Sequence, residues 1–249
     1  MNQHLWDGNM DYGWESLSEY CKSQSMQFSD KIMKCAEASC YEEIMKRITP
    51  QTLKRFTEIA EIFAEGLNDG YYFQYEDLQN ENINGSRLKN WILLGSLTEV
   101  SLQVYLTIYL RDYEADKWQQ WEDFDSDGVK KSIFSQIDDL KKKGMIDSTK
   151  SRSLKDAIRR EIKLHTVPHP IERVMLDELI QFCHQHELFD EDDIQYLKII
   201  QSNRNGIHAY MDRDIGSWVD LQYASRFWCY LLDYIMSCLP DIHDARDFM

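Results

Sequence analysis

Turn-forming residues are scarce in this chain: its 249 residues include only 10 glycines and 4 prolines. Sandwiches and barrels need a turn roughly every ten residues, so the shortage argues against them and for long helices with few connections. Paired-cysteine motifs are missing as well. The six cysteines (Cys21, Cys35, Cys40, Cys183, Cys229, Cys238) form no C-x-x-C pair, and several sit in apolar helical settings where a thiol behaves as a small hydrophobe. The N-terminal stretch MNQHLWDGNMDYGW has neither a basic start nor an apolar core. It is therefore not read as a signal peptide, and reduced thiols and a cytoplasmic location are expected.

Motifs of several large enzyme classes are also lacking. No G-x-x-x-x-G-K-[ST], G-x-G-x-x-G or G-x-S-x-G string occurs, which removes phosphate-cradling loops and the nucleophile elbow. No cofactor is expected. DFDSDG (Asp123–Gly128) opens like a calcium loop, but its twelfth position is Phe134 where a bidentate Glu is needed. In FCHQHELF, His184 and His186 point about 200° apart on a helix and cannot share one metal there. No zinc spacing is found elsewhere, so no metal is expected.

Positive charge is short overall. The net charge is −15, which favours solubility and repels nucleic acid at long range. One segment runs against this trend: KKKGMIDSTKSRSLKDAIRREIK (Lys141–Lys163) carries nine Lys/Arg against three Asp/Glu. If the protein binds RNA, Lys141, Lys142, Lys143, Arg159 and Arg160 are the expected contacts; otherwise the run is a solvated helix face.

What the chain does have is apolar substance, at 43% hydrophobic and 12% aromatic, enough for a packed core. The longest apolar run, Trp91–Leu110, could span a bilayer by length, but Ser96, Glu99, Ser101, Gln103 and Thr107 interrupt it. Lipid would penalise Glu99 by about 2.5–3.5 kcal/mol, so a core helix is expected and no membrane partner. Helical periodicity predicts an all-α fold. A helix begins near Ser29 or Asp30 after a partly ordered start. A second is capped by Thr49, opened by Pro50 and ended by Gly66 or Gly70. Further helices are predicted at Trp91–Tyr113, Val129–Lys143, Ser151–Leu164, Glu172–His186, Asp192 to about His208, and Val219–Leu239, the last with Ser217 and Asp220 as a capping box. The break at Tyr71–Leu88 sets a boundary near residue 86.

SNRNGIHAY (Ser202–Tyr210) carries the sharpest functional pattern. On a helix reaching His208, Arg204 and His208 would stand one turn apart. Imidazole titrates near neutrality and can move protons at a ribose 2′-hydroxyl or a leaving oxygen. A guanidinium holds a phosphoryl oxygen as charge builds. The plainer reading is a basic helix C-terminus complementing the dipole. A second Arg/His spacing, Arg160 with His165, lacks the neighbouring Asn and the IHAY context.

The stretch from Asp190 to Pro240, with Arg204, Asn205 and His208 in R-N-x-x-H order, resembles the C-terminal half of HEPN-like domains. Gly95–Trp118 resembles that family's long first core helix. The resemblance covers about residues 87–241, leaving 1–86 as an N-terminal helical extension and 242–249 as a tail. It implies an all-α bundle of about five helices that dimerises with two motifs facing one cleft. It also implies a metal-independent endoribonuclease of antiviral-defence or toxin–antitoxin type, with an RNA substrate and an antitoxin or defence-complex protein as partner. His208 would be the acid/base, Arg204 the phosphate clamp, and Asn205 the orienting residue. Active members usually place four to six residues between Arg and His, whereas three separate them here. That supports the alternative the family also implies, a non-catalytic interaction or dimerisation module.

Overall fold

The chain is all-α. The computed structural model describes residues 13–39, 41–73, 81–118, 120, 125–207 and 215–241, and among these there are helices and turns but no strand. In order the helices are α1 (Trp14–Ala38), α2 (Glu42–Arg47), α3 (Pro50–Phe73), α4 (Glu81–Ile108), α5 (Leu110–Asp116), α6 (Ser126–Lys142), α7 (Ser148–Leu164), α8 (Leu176–Gln185), α9 (Glu191–Arg204) and α10 (Trp218–Cys238). Two 3-10 turns lie at Ile171–Arg173 and Asn205–Ile207. Two compact units result. One joins the chain up to Leu110 with the chain from Val174 onward, and the other is Arg111–Arg173. The division does not fall at residue 86, because α1 and α3 share the first unit with α4, α9 and α10.

The core of the first unit is built around Trp228 of α10, which is fully buried. Phe56 and Phe63 of α3 lie 6.2 and 5.9 Å from its ring, and its indole N–H donates to Ser101 Oγ of α4 at 3.4 Å. Helix α1 closes the same core, with Phe28 5.4 Å from Phe56. It is also clasped to α10, where Tyr20 donates to Asp233 at 3.1 Å and the Cys21 and Cys229 thiols meet at 3.4 Å. Burial raises the Cys229 thiol well above its ordinary range and pushes Cys183 up to about 12, so both stay protonated and inert.

Helix α1 starts 15 residues before the expected Ser29. Its buried stripe is Trp14, Leu17, Cys21, Phe28, Ile32 and Cys35, but Ser18, Gln24, Ser25 and Ser29 are buried among them. Those polar residues hide the 3.6-residue period. They are tolerated because most find acceptors: Ser18 donates to Ala64 O at 2.6 Å and Ser25 to Lys22 O at 2.8 Å. Helix α3 begins as expected, with Thr49 Oγ1 accepting from Thr52 N at 3.1 Å. It does not stop at Gly66 or Gly70. Both are interior positions where a neighbour comes close: Asn90 donates to Gly66 O at 3.0 Å, and a Cβ on Gly70 would lie 2.6 Å from the Trp14 ring.

The apolar helix α4 passes a length-and-hydropathy test for a bilayer span, yet 61% of its most apolar stretch is buried in the fold. Its hydroxyls are satisfied one turn back, Thr98 on Leu94 O at 2.8 Å, Ser101 on Leu97 O at 2.7 Å and Thr107 on Gln103 O at 2.7 Å. Buried hydroxyls therefore cost little here.

The second unit is dominated by the α6–α7 hairpin. Asp125 caps α6 by accepting from Gly128 N at 2.9 Å, so this residue of the calcium-like stretch serves a helix end. Asp147 caps α7 in the same way at 2.7 Å. Lys155 meets Asp138 at 2.7 Å and, through that hydrogen bond, holds its carboxyl below the usual range. Lys155 and Arg159 also stack over the Phe134 ring at 5.3 and 5.0 Å.

Gly66→Leu tests the α3–α4 packing directly. Asn90 is fully buried, and even a Cβ would sit 2.9 Å from its Cγ. Overpacking of this kind costs about 3 kcal/mol, read as a lowered urea midpoint with unchanged slope. An unchanged midpoint would contradict this packing.

Candidate functional site

Arg204 is the last residue of α9, and the placement follows from the sequence. Asp190 caps the helix by accepting from Asp193 N at 2.9 Å, and Glu191, Asp192 and Asp193 complement the positive end of the dipole. Ile194, Leu197 and Ile200 form the buried stripe, and Arg204 follows one turn later. The α-helix then ends. Asn205 is its C-cap, with its N–H directed to Gln201 O and Asn203 O, and the chain tightens into the 3-10 turn Asn205–Ile207. Gly206 has little helix propensity and packs under Ile215, whose Cγ2 would lie 2.5 Å from a Cβ there. The expected α-helix running through to His208 is therefore not what forms. His208 itself lies outside the described residues.

The Arg204 side chain lies across Gly95 of α4, where a Cβ would come within 2.5 Å of its Cδ. One guanidinium nitrogen donates to Glu99 Oε2, one turn further along α4. The same carboxylate oxygen accepts from Leu176 N, the first amide of α8, at 3.2 Å. Glu99 thus joins three helix segments, at side-chain exposures of 24% for Arg204 and 17% for Glu99. At this depth the pair is only partly screened.

Next to this junction is a cavity of about 350 Å³ lined by Ile92, Ser96, Met175, Leu176, Asp177, Gln201, Arg204 and Asn205. Arg204, Gln201, Asn205 and Ser96 supply hydrogen-bonding groups, and Ile92, Met175 and Leu176 supply an apolar wall. Among the described residues, Glu99 is the polar partner of Arg204. The arrangement can hold a small anion or a phosphodiester through Arg204, with amide groups alongside to orient it. Asp177 adds a carboxylate to the lining of the same cavity.

Arg204 and Asn205 are therefore brought together at one cavity. The basic residues belong to the other unit and do not converge. The contacts of Asp138 with Lys155 and of Phe134 with Arg159 fix the antiparallel register. This register puts Lys141, Lys142 and Lys143 at the hairpin tip and Arg159 and Arg160 about 12 Å back along it. All five are exposed, with Lys142 3.4 Å from Asp139 and Arg159 2.6 Å from Asp156. His165 caps α7 and turns toward Glu161 at 3.5 Å. His184 meets Glu191 at 3.1 Å, while the His186 ring stacks on Phe182 at 4.3 Å. Among the described residues no group of three His, Cys, Asp or Glu side chains converges as metal ligands would.

Glu99 and Gly95 are the site residues that sequence reasoning missed. The available signal was G-S-L-T-E, which puts a small residue and an acid one turn apart on an otherwise apolar helix. Compared with known proteins, the chain matches no family model, no curated protein and no solved structure.

Glu99→Ala leaves the Arg204 guanidinium and the Leu176 N–H without their shared acceptor, and the expected loss is about 1–3 kcal/mol in chemical denaturation. Glu99→Gln keeps an acceptor for Leu176 and should lose less. Equal stability of Glu99→Ala and wild type would contradict the junction.

Proposed function

We propose that this chain is a metal-independent endoribonuclease of the defence or toxin–antitoxin kind, built on a HEPN-like bundle and acting in the cytoplasm. The observation that carries the reading is the state of Arg204. Glu99 tethers its guanidinium from one side at the rim of a cavity with amide donors, four residues ahead of His208. A tethered guanidinium loses little freedom on gripping a phosphate, which is what a clamp requires.

In this reading the 2′-hydroxyl of a ribose attacks the adjacent phosphorus as its proton passes to an imidazole. The 5′-oxygen of the next nucleotide leaves with a proton, and a 2′,3′-cyclic phosphate remains. His208 moves the proton, Arg204 holds the non-bridging oxygen, and Asn205 orients the phosphodiester. One imidazole does not serve both oxygens conveniently, so the chemistry calls for two copies of the chain. Lys141, Lys142, Lys143, Arg159 and Arg160 would lower the long-range repulsion between RNA and a chain of net charge −15.

The same junction favours a second reading, a non-catalytic helical module. Glu99 also holds the first amide of α8, so Arg204 can be a structural clasp. The carboxylate already on the guanidinium and the three-residue Arg-to-His spacing point the same way.

The two readings part on one assay. The endoribonuclease should cleave single-stranded RNA in EDTA and leave 2′,3′-cyclic ends. His208→Ala should lower the rate by roughly 10²–10⁴-fold, and Arg204→Ala by roughly 10²–10³-fold. Equal cleavage by wild type and the double variant would end the nuclease reading and leave the module.

A further inference from the structure

The cavity beside Arg204 offers more than a grip on phosphate. At about 350 Å³ it lies at the small end of ligand pockets, which run from roughly 300 to 1,000 Å³. That is the size for one nucleotide and not for an RNA helix. Ile92 of α4 and Met175, the N-cap of α8, line it together with Leu176. Met175 is 55% exposed, an unbranched thioether able to adapt to the face of an aromatic ring. Gln201 of α9 and Ser96 of α4 bring hydrogen-bonding groups to the same space.

Three carboxylates meet the start of α8, and two of them are committed. Glu99 holds Arg204 and Leu176 N, and Glu178 accepts from Met175 N at 2.9 Å. The third, Asp177, is exposed and lines the cavity. Glu178 already complements the helix dipole from the first turn, so that role does not call for Asp177. A carboxylate on the wall of a site for an anion repels its ligand unless the ligand brings donors to it. Asp177 also follows Leu176, whose amide shares a Glu99 oxygen with the guanidinium. That path puts its Cα within about 10 Å of the Arg204 guanidinium, the scale of a single nucleotide.

We propose that this cavity takes a guanine base of single-stranded RNA, with Asp177 as the residue that selects it; the inference rests on the phosphate grip assigned above to Arg204. Among the four bases guanine alone sets two donors, N1–H and the N2 amino group, side by side on its Watson–Crick edge. A carboxylate accepts both with its two oxygens. Adenine and cytosine each pair one amino donor with a ring-nitrogen acceptor, whose lone pair would face a carboxylate oxygen. Uracil flanks its one donor with two carbonyls. Gln201 and Ser96 then have O6 and N7 as acceptors, and the apolar wall covers a ring face. The phosphate contact positions the strand and Asp177 reads it.

Calorimetric titration of the full chain with the 3′,5′-bisphosphates of guanosine, adenosine, cytidine and uridine tests this without any cleavage. A phosphate on either side of the base serves whichever register the strand takes. The guanosine form should bind tightest, by roughly 5- to 150-fold over the other three, the worth of one bidentate base contact. Asp177→Asn offers one acceptor and one donor, so it should lose that preference and favour the adenosine or cytidine form. Asp177→Ala should lose it without gaining another, and Arg204→Ala should weaken all four alike. An acid serving only the helix dipole would shift the melting temperature and leave the order of the bases unchanged. Equal binding of the four, binding of none, or a guanosine preference that survives Asp177→Asn would overturn the proposal. The nuclease reading fails separately. A chain that prefers the guanosine form yet leaves RNA intact keeps the base pocket and loses the nuclease, whereas one that cleaves RNA but binds all four alike keeps the nuclease and loses the pocket.

Discussion

The site in the first unit depends on a single carboxylate. Glu99 sits on an otherwise apolar helix at 17% side-chain exposure, where an unpaired charge would be costly. Its two partners, the Arg204 guanidinium and the Leu176 amide, make that position tolerable. In satisfying itself, Glu99 fixes where α9 ends and where α8 begins. Gly95 completes the arrangement, since any side chain there would lift Arg204 off α4. The cavity beside Arg204 is a consequence of that geometry: its walls are residues next to the three segments that Glu99 ties together.

How much of this was legible in the sequence depended on whether the deciding contact was local. Helices α3 and α10 announced themselves through nearby caps, and α6 and α7 were placed with their starts three residues late. Ser217 and Asp220 do form the capping box at the start of α10, with Asp220 N to Ser217 Oγ at 3.1 Å. Most of the misses turned on distant partners. The first half of α1 looked irregular because its buried serines and Gln24 are read as surface residues, although Ser18 bonds to Ala64 O of α3 and Ser25 to Lys22 O within α1. Gly66 and Gly70 looked like helix stops because the residues crowding them, Asn90 and Trp14, are far away in the chain. Glu99 looked like a liability within an apolar run, since its partner Arg204 lies 105 residues downstream.

The motif itself was legible as residue types but not as geometry. Arg204 and Asn205 line one cavity, yet the α-helix that was expected to carry the arginine on to His208 stops at Arg204. The cap at Asn205 and the glycine after it lead into a 3-10 turn instead. The guanidinium that a phosphate would use is already held by Glu99, so a substrate has to compete with a partner in place.

A double-mutant cycle on Glu99→Ala and Arg204→Ala, read by chemical denaturation, measures the junction most directly. Residues joined in one charge-assisted network couple by about 0.5–3 kcal/mol, and the shared carboxylate predicts a stabilising coupling in that range between these two. Additive effects, within about 0.3–0.5 kcal/mol, would mean that Glu99 and Arg204 act independently and that the cavity is not organised by their contact.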